Sequence, residues 1–236
     1  MRLGVLALGD SITNGGGELQ WGVALQSWAL WVARGLGLPY TGYAVDGATA
    51  GDVVEQQIPR FERDGAELGR RYNLGCLYIG VNDVRGVDWD ARAFGESYER
   101  ALAVLEAHCD RVLVLTAPLD LGRPRAGAKV HELNATIEAA ARAHGALILD
   151  LFDFGARNHV MVDHVHPTAF GQVAIAERAL NVLERDGMPV RARPSSLVGY
   201  ETTRWQRLRG DTTYTYRHLK SSARAAAIVA WFRLRS

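Results

Sequence analysis

Five short apolar runs, at residues 2–8, 40–45, 74–80, 111–117 and 146–151, are separated by longer segments whose apolar residues recur at helical spacing. The runs are nearly continuous rather than alternating, as strands buried on both faces must be. Between them the spacing predicts helices over 19–36, 91–107, 127–144 and 168–185. In the first, Leu25, Trp28, Ala29, Val32 and Leu36 share one face; in the second, Phe94, Tyr98, Ala101, Leu102 and Leu105 do. Val130, Leu133, Ile137 and Ala141, and then Val173, Leu180 and Leu183, repeat the pattern in the other two. Alternation of this kind predicts an α/β protein with a parallel sheet covered on both faces. Right-handed crossovers then give a doubly wound three-layer α/β/α sandwich. In such a sandwich Trp28 and Trp31 read as helix-to-sheet packing, not as a stacking platform for a ligand.

The 236 residues give room for one such domain and an appendage. Their apolar and charged shares, 48% and 22%, are those of an ordinary globular chain. The formal net charge of +1 conceals a split. Residues 190–236 hold ten Lys/Arg against two Asp/Glu, and the rest hold 17 against 24. We therefore divide the chain into a domain over 1–189 and a basic, partly helical extension over 190–236 with a partner surface of its own. Arg191–Ser196 reads as a linker. Beyond it, Tyr216, Leu219, Ala223, Ala226 and Ala230 fall on one helical face, with Arg217, Lys220 and Arg224 on another, and the run ends Ile228–Arg233. Such a helix can lie on an anionic membrane surface, pair with a second subunit, or dock on the acidic domain, which its charge favours. No recognisable nucleic-acid module is present, so no nucleic-acid partner is expected. Cys76 and Cys109, the two cysteines, lie in apolar surroundings and read as buried thiols of a reducing compartment. The first run opens at Arg2 and leaves no room for a leader, and no run is long enough to cross a bilayer, so the expected location is the cytoplasm.

The carboxyl ends of strands in an open α/β sheet frame the ligand crevice. Leu8-Gly9-Asp10-Ser11-Ile12-Thr13 follows the first run, Gly47 the second, Gly80-Val81-Asn82-Asp83 the third, and Asp163-His164-Val165-His166-Pro167 the last. A serine hydroxyl needs an adjacent base to act as a nucleophile. His166 can be that base, and Asp163, three residues earlier, can fold back onto its Nδ1–H. The N–H groups of Ser11 and Gly47 and the Asn82 amide can donate to an oxyanion. Each piece also has a plain structural reading: Ser11 as a turn or cap residue, Asn82 in an Asx-turn, Asp163 as a cap beside a surface histidine. Convergence of all of them on one crevice carries the argument. His164 competes for the role of base. With His159 nearby, the cluster can be read as a metal site, but no further ligand set of clear spacing accompanies it. Gly15-Gly16-Gly17 is not followed by Lys-Ser/Thr, so it is no phosphate loop.

Those four blocks, in order over residues 2–186, resemble the GDSL/SGNH hydrolase superfamily: Gly9-Asp10-Ser11, Gly47, Gly80-x-Asn82-Asp83 and Asp163-x-x-His166. The G-x-S-x-G elbow of the ordinary α/β-hydrolases is absent. The resemblance implies a flavodoxin-like five-stranded parallel sheet and a serine esterase or lipase that works through an acyl-enzyme. Its substrate would be an acyl or acetyl ester of a small alcohol, lipid or sugar. Ser11, Asp163 and His166 would be catalytic, Ser11, Gly47 and Asn82 would form the oxyanion hole, and no metal or other cofactor would be needed. A catalytically weak binding module, or an acyltransferase, is the alternative on the same fold. His164 departs from the family, which often has a small residue such as glycine there, and stands to crowd the base or contact substrate. Loops 14–24, 84–90, 119–127 and 154–162 would set the substrate, with Trp21, Trp89 and Met161 as apolar lining. Arg85 and Arg123 are candidate contacts to an anionic substrate.

Overall fold

The computed structural model describes residues 2–19, 23–65, 71–156, 158–199 and 203–233. Each apolar run delivers one strand: β1 (Val5–Gly9), β2 (Tyr40–Gly42), β3 (Leu74–Tyr78), β4 (Val112–Leu115) and β5 (Leu147–Leu149). All pair in parallel, in the order β2-β1-β3-β4-β5. Val5 lies opposite both Tyr40 and Leu74, Gly75 opposite Val112, and Leu113 opposite Leu147. Every residue of β1, β3 and β4 is buried, which is why those runs are apolar throughout, whereas the edge strands β2 and β5 are partly covered. Strand order reverses direction between β1 and β3, and an open sheet has its crevice at such a switch point.

The helices are α1 (Ser11–Asn14), α2 (Trp28–Leu36), α3 (Ala50–Asp52), α4 (Ile58–Gly65), α5 (Val81–Arg85), α6 (Ala91–His108), α7 (Lys129–Ala143), α8 (Ala169–Arg185) and α9 (Arg204–Arg233). A π-helical turn, Val53–Gln57, joins α3 to α4. α2 and α8 pack together on one face of the sheet; α3, the π turn, α6 and α7 cover the other. The result is the three-layer sandwich. Trp28 and Trp31 are both buried in the hydrophobic core. Cys76 and Cys109 are buried free thiols, and burial pushes both up, Cys109 to about 12, which keeps them unreactive.

Three stretches differ from the sequence reading. The helix expected from residue 19 starts only at Trp28, because Ser27 ends the preceding loop and its hydroxyl takes the Ala29 N–H at 3.1 Å. The helical stretch over 50–65 was not expected. Its buried stripe is interrupted by Gln57 and followed by Pro59, which hides the period; the π turn lies where proline's missing N–H would break an ordinary helix. Third, Arg191–Ser196 is no free linker. Arg191 and Ala192 both donate to Gly35 O (2.8 and 3.1 Å), Arg193 pairs with Glu184, and Pro194 is buried at the start of a 3₁₀ turn, Pro194–Leu197. Among the described residues no helix is long and apolar enough to cross a membrane.

Candidate active site

β1 ends at Gly9 with φ +150°, where a Cβ would lie 2.4 Å from the Tyr78 carbonyl oxygen, so only glycine fits. The chain then turns into α1. Asp10 is the N-cap, its Oδ1 accepting the Ile12 N–H at 2.9 Å. Ser11 is therefore the first helical residue rather than the cap, and its N–H has no intrahelical carbonyl to bond. Its Oγ donates to His166 Nε2 at 2.9 Å, and His166 Nδ1 donates to Asp163 Oδ2 at 2.7 Å. The other Asp163 oxygen accepts the N–H groups of Val165 (2.9 Å) and His166 (3.1 Å). With Asp163 holding the Nδ1–H, the neutral imidazole leaves Nε2 as the acceptor facing Ser11.

The charges of the site are coupled. The hydrogen bond to Asp163 raises the His166 pKa; burial opposes this, and the charges of Asp163 and Asp10 add to it. For Asp163, burial favours the neutral acid, but the His166 side chain and two backbone donors outweigh it and hold the carboxyl below its ordinary value. Asp10 is fully buried, and burial pushes its pKa up to about 7 despite the Ile12 N–H and the nearby imidazole. Arg85, exposed on α5, works against the charged form of His166.

Gly47 lies in the loop after β2 at φ +78°, and nothing stands within 4 Å of where its Cβ would be, so a ligand can approach its backbone. Asn82 is the second residue of α5. One of its amide hydrogens goes to Ala48 O at 2.9 Å, and Nδ2 carries a second. The adjacent Asp83 accepts the Ala50 N–H with both oxygens (3.0 and 3.2 Å). Two successive side chains of the third block thus pin the loop that carries the second. A cleft of about 370 Å³ opens beside them, with Thr49, Asn82, Trp89, Asp90 and Phe94 on its walls.

Two supporting residues escaped the sequence reading. Gln57, from the π turn, accepts the Gly9 N–H (3.0 Å) and donates to Gly9 O (2.8 Å). Gln172, on α8, donates to Ile12 O (2.9 Å) and Gly16 O (3.1 Å) and accepts the Trp28 N–H (2.8 Å). Both are buried and lock the turn bearing Ser11 from opposite sides of the sheet. Their only sequence signal is a glutamine set in the apolar stripe of a helix.

The remaining candidates are tied up elsewhere. His164 sits at φ +55°, the left-handed region that explains why glycine suits this position. Its Nδ1 meets Asp120 (3.1 Å) and its Nε2 meets Arg123 (3.0 Å), so neither nitrogen is left to act as base on Ser11. Arg123 also bonds Asp120 and Gly122 O, which makes it a clamp on its own loop rather than a contact for an anionic substrate. His159 stacks on Phe154 at 5.7 Å. Trp89 donates to Glu132 (2.7 Å) and packs on Phe94, and Met161 lines a separate cleft beside α9. Trp21 lies outside the described residues. Among the described residues, no three His, Cys, Asp or Glu side chains gather as a metal site requires.

A model of the GDSL-like lipase/acylhydrolase family matches residues 7–174. Among curated proteins no sequence matches the chain. Solved structures share the fold at low identity. An acetylxylan esterase from Geobacillus stearothermophilus is 20% identical with a TM-score of 0.59, over 82% of this chain and all of that one. A member of the lipolytic G-D-S-L family from Veillonella parvula is 21% identical with a TM-score of 0.61, over 77% and 98%. An α/β hydrolase enzyme from the metagenome of Lake Arreo, Spain, is 19% identical with a TM-score of 0.58, over 76% and 94%. The match spans the turn of Ser11, the loop of Gly47, the start of α5 and the Asp163–His166 turn, and the chain belongs to the GDSL-like lipase/acylhydrolase family.

Proposed function

We propose that the protein hydrolyses carboxylic esters through an acyl-enzyme on Ser11. The observation that carries this reading is the continuous relay from Ser11 Oγ through His166 to Asp163, at 2.9 and 2.7 Å. His166 Nε2 takes the hydroxyl proton as Oγ attacks the ester carbonyl. The tetrahedral oxyanion is met by the Ser11 and Gly47 N–H groups and the second Asn82 amide hydrogen, fixed dipoles that need no reorganisation as the charge develops. The C–O bond then breaks, and His166 passes its proton to the leaving alkoxide. Water repeats the sequence on the acyl-enzyme: His166 takes its proton, the new oxyanion collapses, and Ser11 is reprotonated. Asp163 stays ionised throughout, fixing the tautomer and balancing the imidazolium.

The test is hydrolysis of p-nitrophenyl acetate, butyrate and octanoate by the wild type, Ser11→Ala and His166→Ala. Each variant should lose about 10⁴-fold or more in kcat, since residues acting as one unit fail together. Wild-type turnover on none of the esters, or undiminished turnover by Ser11→Ala, would reject the reading. Chain-length preference sizes the acyl site.

A further inference from the structure

α9 meets the rest of the protein along one ridge. Gly210, Tyr214, His218 and Ser222, each four residues from the last, are its half-buried positions, and every other described side chain on it is exposed. Arg217 pairs with Glu18 at 2.5 Å, and the His218 ring lies 5.7 Å from that of His164. Tyr214, Arg209 and Arg217 share a cleft of about 520 Å³ with Glu18, Asn158 and Met161.

The opposite side is the one the sequence marked for docking, and it faces solvent. Trp205, Leu208, Tyr216 and Leu219 are 77, 51, 67 and 65% exposed. With Thr212, Ala223 and Ala226 they recur at three- and four-residue steps, so they form one stripe turned away from the body. Arg204 borders the stripe on one side, Arg209 and Lys220 on the other. Over its length α9 has seven Lys/Arg and one Asp. Apolar residues continue in sequence through Ile228, Trp231 and Phe232, whose side chains, like that of Ala230, lie outside those described.

We propose that this stripe anchors the protein to an anionic membrane surface. α9 would lie in the headgroup plane, with Trp205, Leu208, Tyr216 and Leu219 at the acyl boundary and the flanking basic side chains among the lipid phosphates. Charge decides against a second copy as occupant, because a two-fold contact would set two strongly basic helices against each other. A polyanionic nucleic acid would satisfy the charges but not an exposed Trp and two Leu. The docked ridge rests on His164, two residues from His166, so a bound α9 holds the candidate site at the lipid surface. The inference does not depend on Ser11 being a nucleophile.

The test is sedimentation of the full chain with phosphatidylcholine vesicles, with and without phosphatidylserine. Binding should require phosphatidylserine and fall as salt rises. Trp205→Ser combined with Leu208→Ser and Leu219→Ser should abolish it; these side chains are exposed, so an unchanged circular dichroism spectrum is expected. Arg204→Ala with Lys220→Ala should weaken binding about thirtyfold. No binding to phosphatidylserine vesicles, or full binding by the triple serine variant, overturns the proposal. So does a wild-type dimer that the triple variant dissolves, or binding to duplex nucleic acid without binding to vesicles.

Discussion

Asp10 is the residue whose chemistry extends furthest beyond its place in the sequence motif. It caps α1, yet it is fully buried, and burial pushes its pKa up to about 7; its charge in turn helps to raise the pKa of His166. Its carboxylate favours the imidazolium, so Asp10→Asn should move the acid limb of the pH–rate profile to lower pH with little change in KM. A limb that stays in place would remove Asp10 from the electrostatics of the site. Stability should respond as well. A carboxyl whose folded pKa lies above its unfolded value binds more protons when folded, so stability falls as pH rises between those values, from 3.8 to about 7. The raised pKa of His166 continues the fall above 6.5. Asp10→Asn should flatten most of a loss on the order of 4 kcal/mol between pH 4 and 8, read from urea midpoints at several pH values. His164 gives the complementary prediction. Its left-handed backbone costs roughly 1–2 kcal/mol, and its ring bonds Asp120 and Arg123 rather than Ser11. His164→Gly should keep kcat within about threefold, the mark of a residue outside acid–base catalysis; a hundredfold loss would show that the ring takes part in turnover.

Among the elements, the sheet and the four sequence blocks that follow its strands were legible, and the groups that support those blocks were not. Five apolar runs named five strands, because strands buried on both faces leave no polar alternation to misread. Ser11, Asn82, Asp163 and His166 could be nominated because each follows a strand, and topology brings strand ends together. Gln57 and Gln172 were missed because their partners are backbone groups 48 and 160 residues away, and no local pattern announces such a bond. The stretch over 50–65 was missed for a related reason: its helical period breaks at the π turn that aims Gln57 at Gly9. Gln57→Leu should therefore act at a distance. It leaves the buried N–H of Gly9 unpaired, while the Gly9 carbonyl keeps the Val45 N–H at 3.1 Å, and should cost about 1–3 kcal/mol of stability. Activity should fall as the turn of Ser11 loosens, measured as chemical denaturation alongside turnover. A stability change under 0.5 kcal/mol would mean that other groups satisfy Gly9.

For the whole molecule, the residues just beyond position 189, where the charge pattern changes, are not detached. Residues 191–197 pack on α2 and α8, and α9 alone rests on the surface by one ridge. The sequence named a plausible docking face on α9 because Tyr216 and Leu219 are its larger apolar groups. The contacts run instead through Arg217, which pairs with Glu18, and His218, whose ring lies 5.7 Å from that of His164. An exposed ion pair such as Arg217–Glu18 contributes at most about 1 kcal/mol. A chain ending at residue 198 should then keep its melting temperature within about 4 °C of the full chain. A larger drop would make α9 part of the folded core.

An activated Ser11 hydroxyl, as proposed above, should react covalently with an electrophilic probe. The wild type, Ser11→Ala and His166→Ala would each be treated with a fluorophosphonate, and the modified peptide read by mass spectrometry. One adduct is expected in the wild type, on Ser11, with none in Ser11→Ala and labelling slowed at least about a hundredfold in His166→Ala, where the hydroxyl has lost its base. A folded wild type that stays unlabelled, or an adduct on another serine, would contradict the proposal.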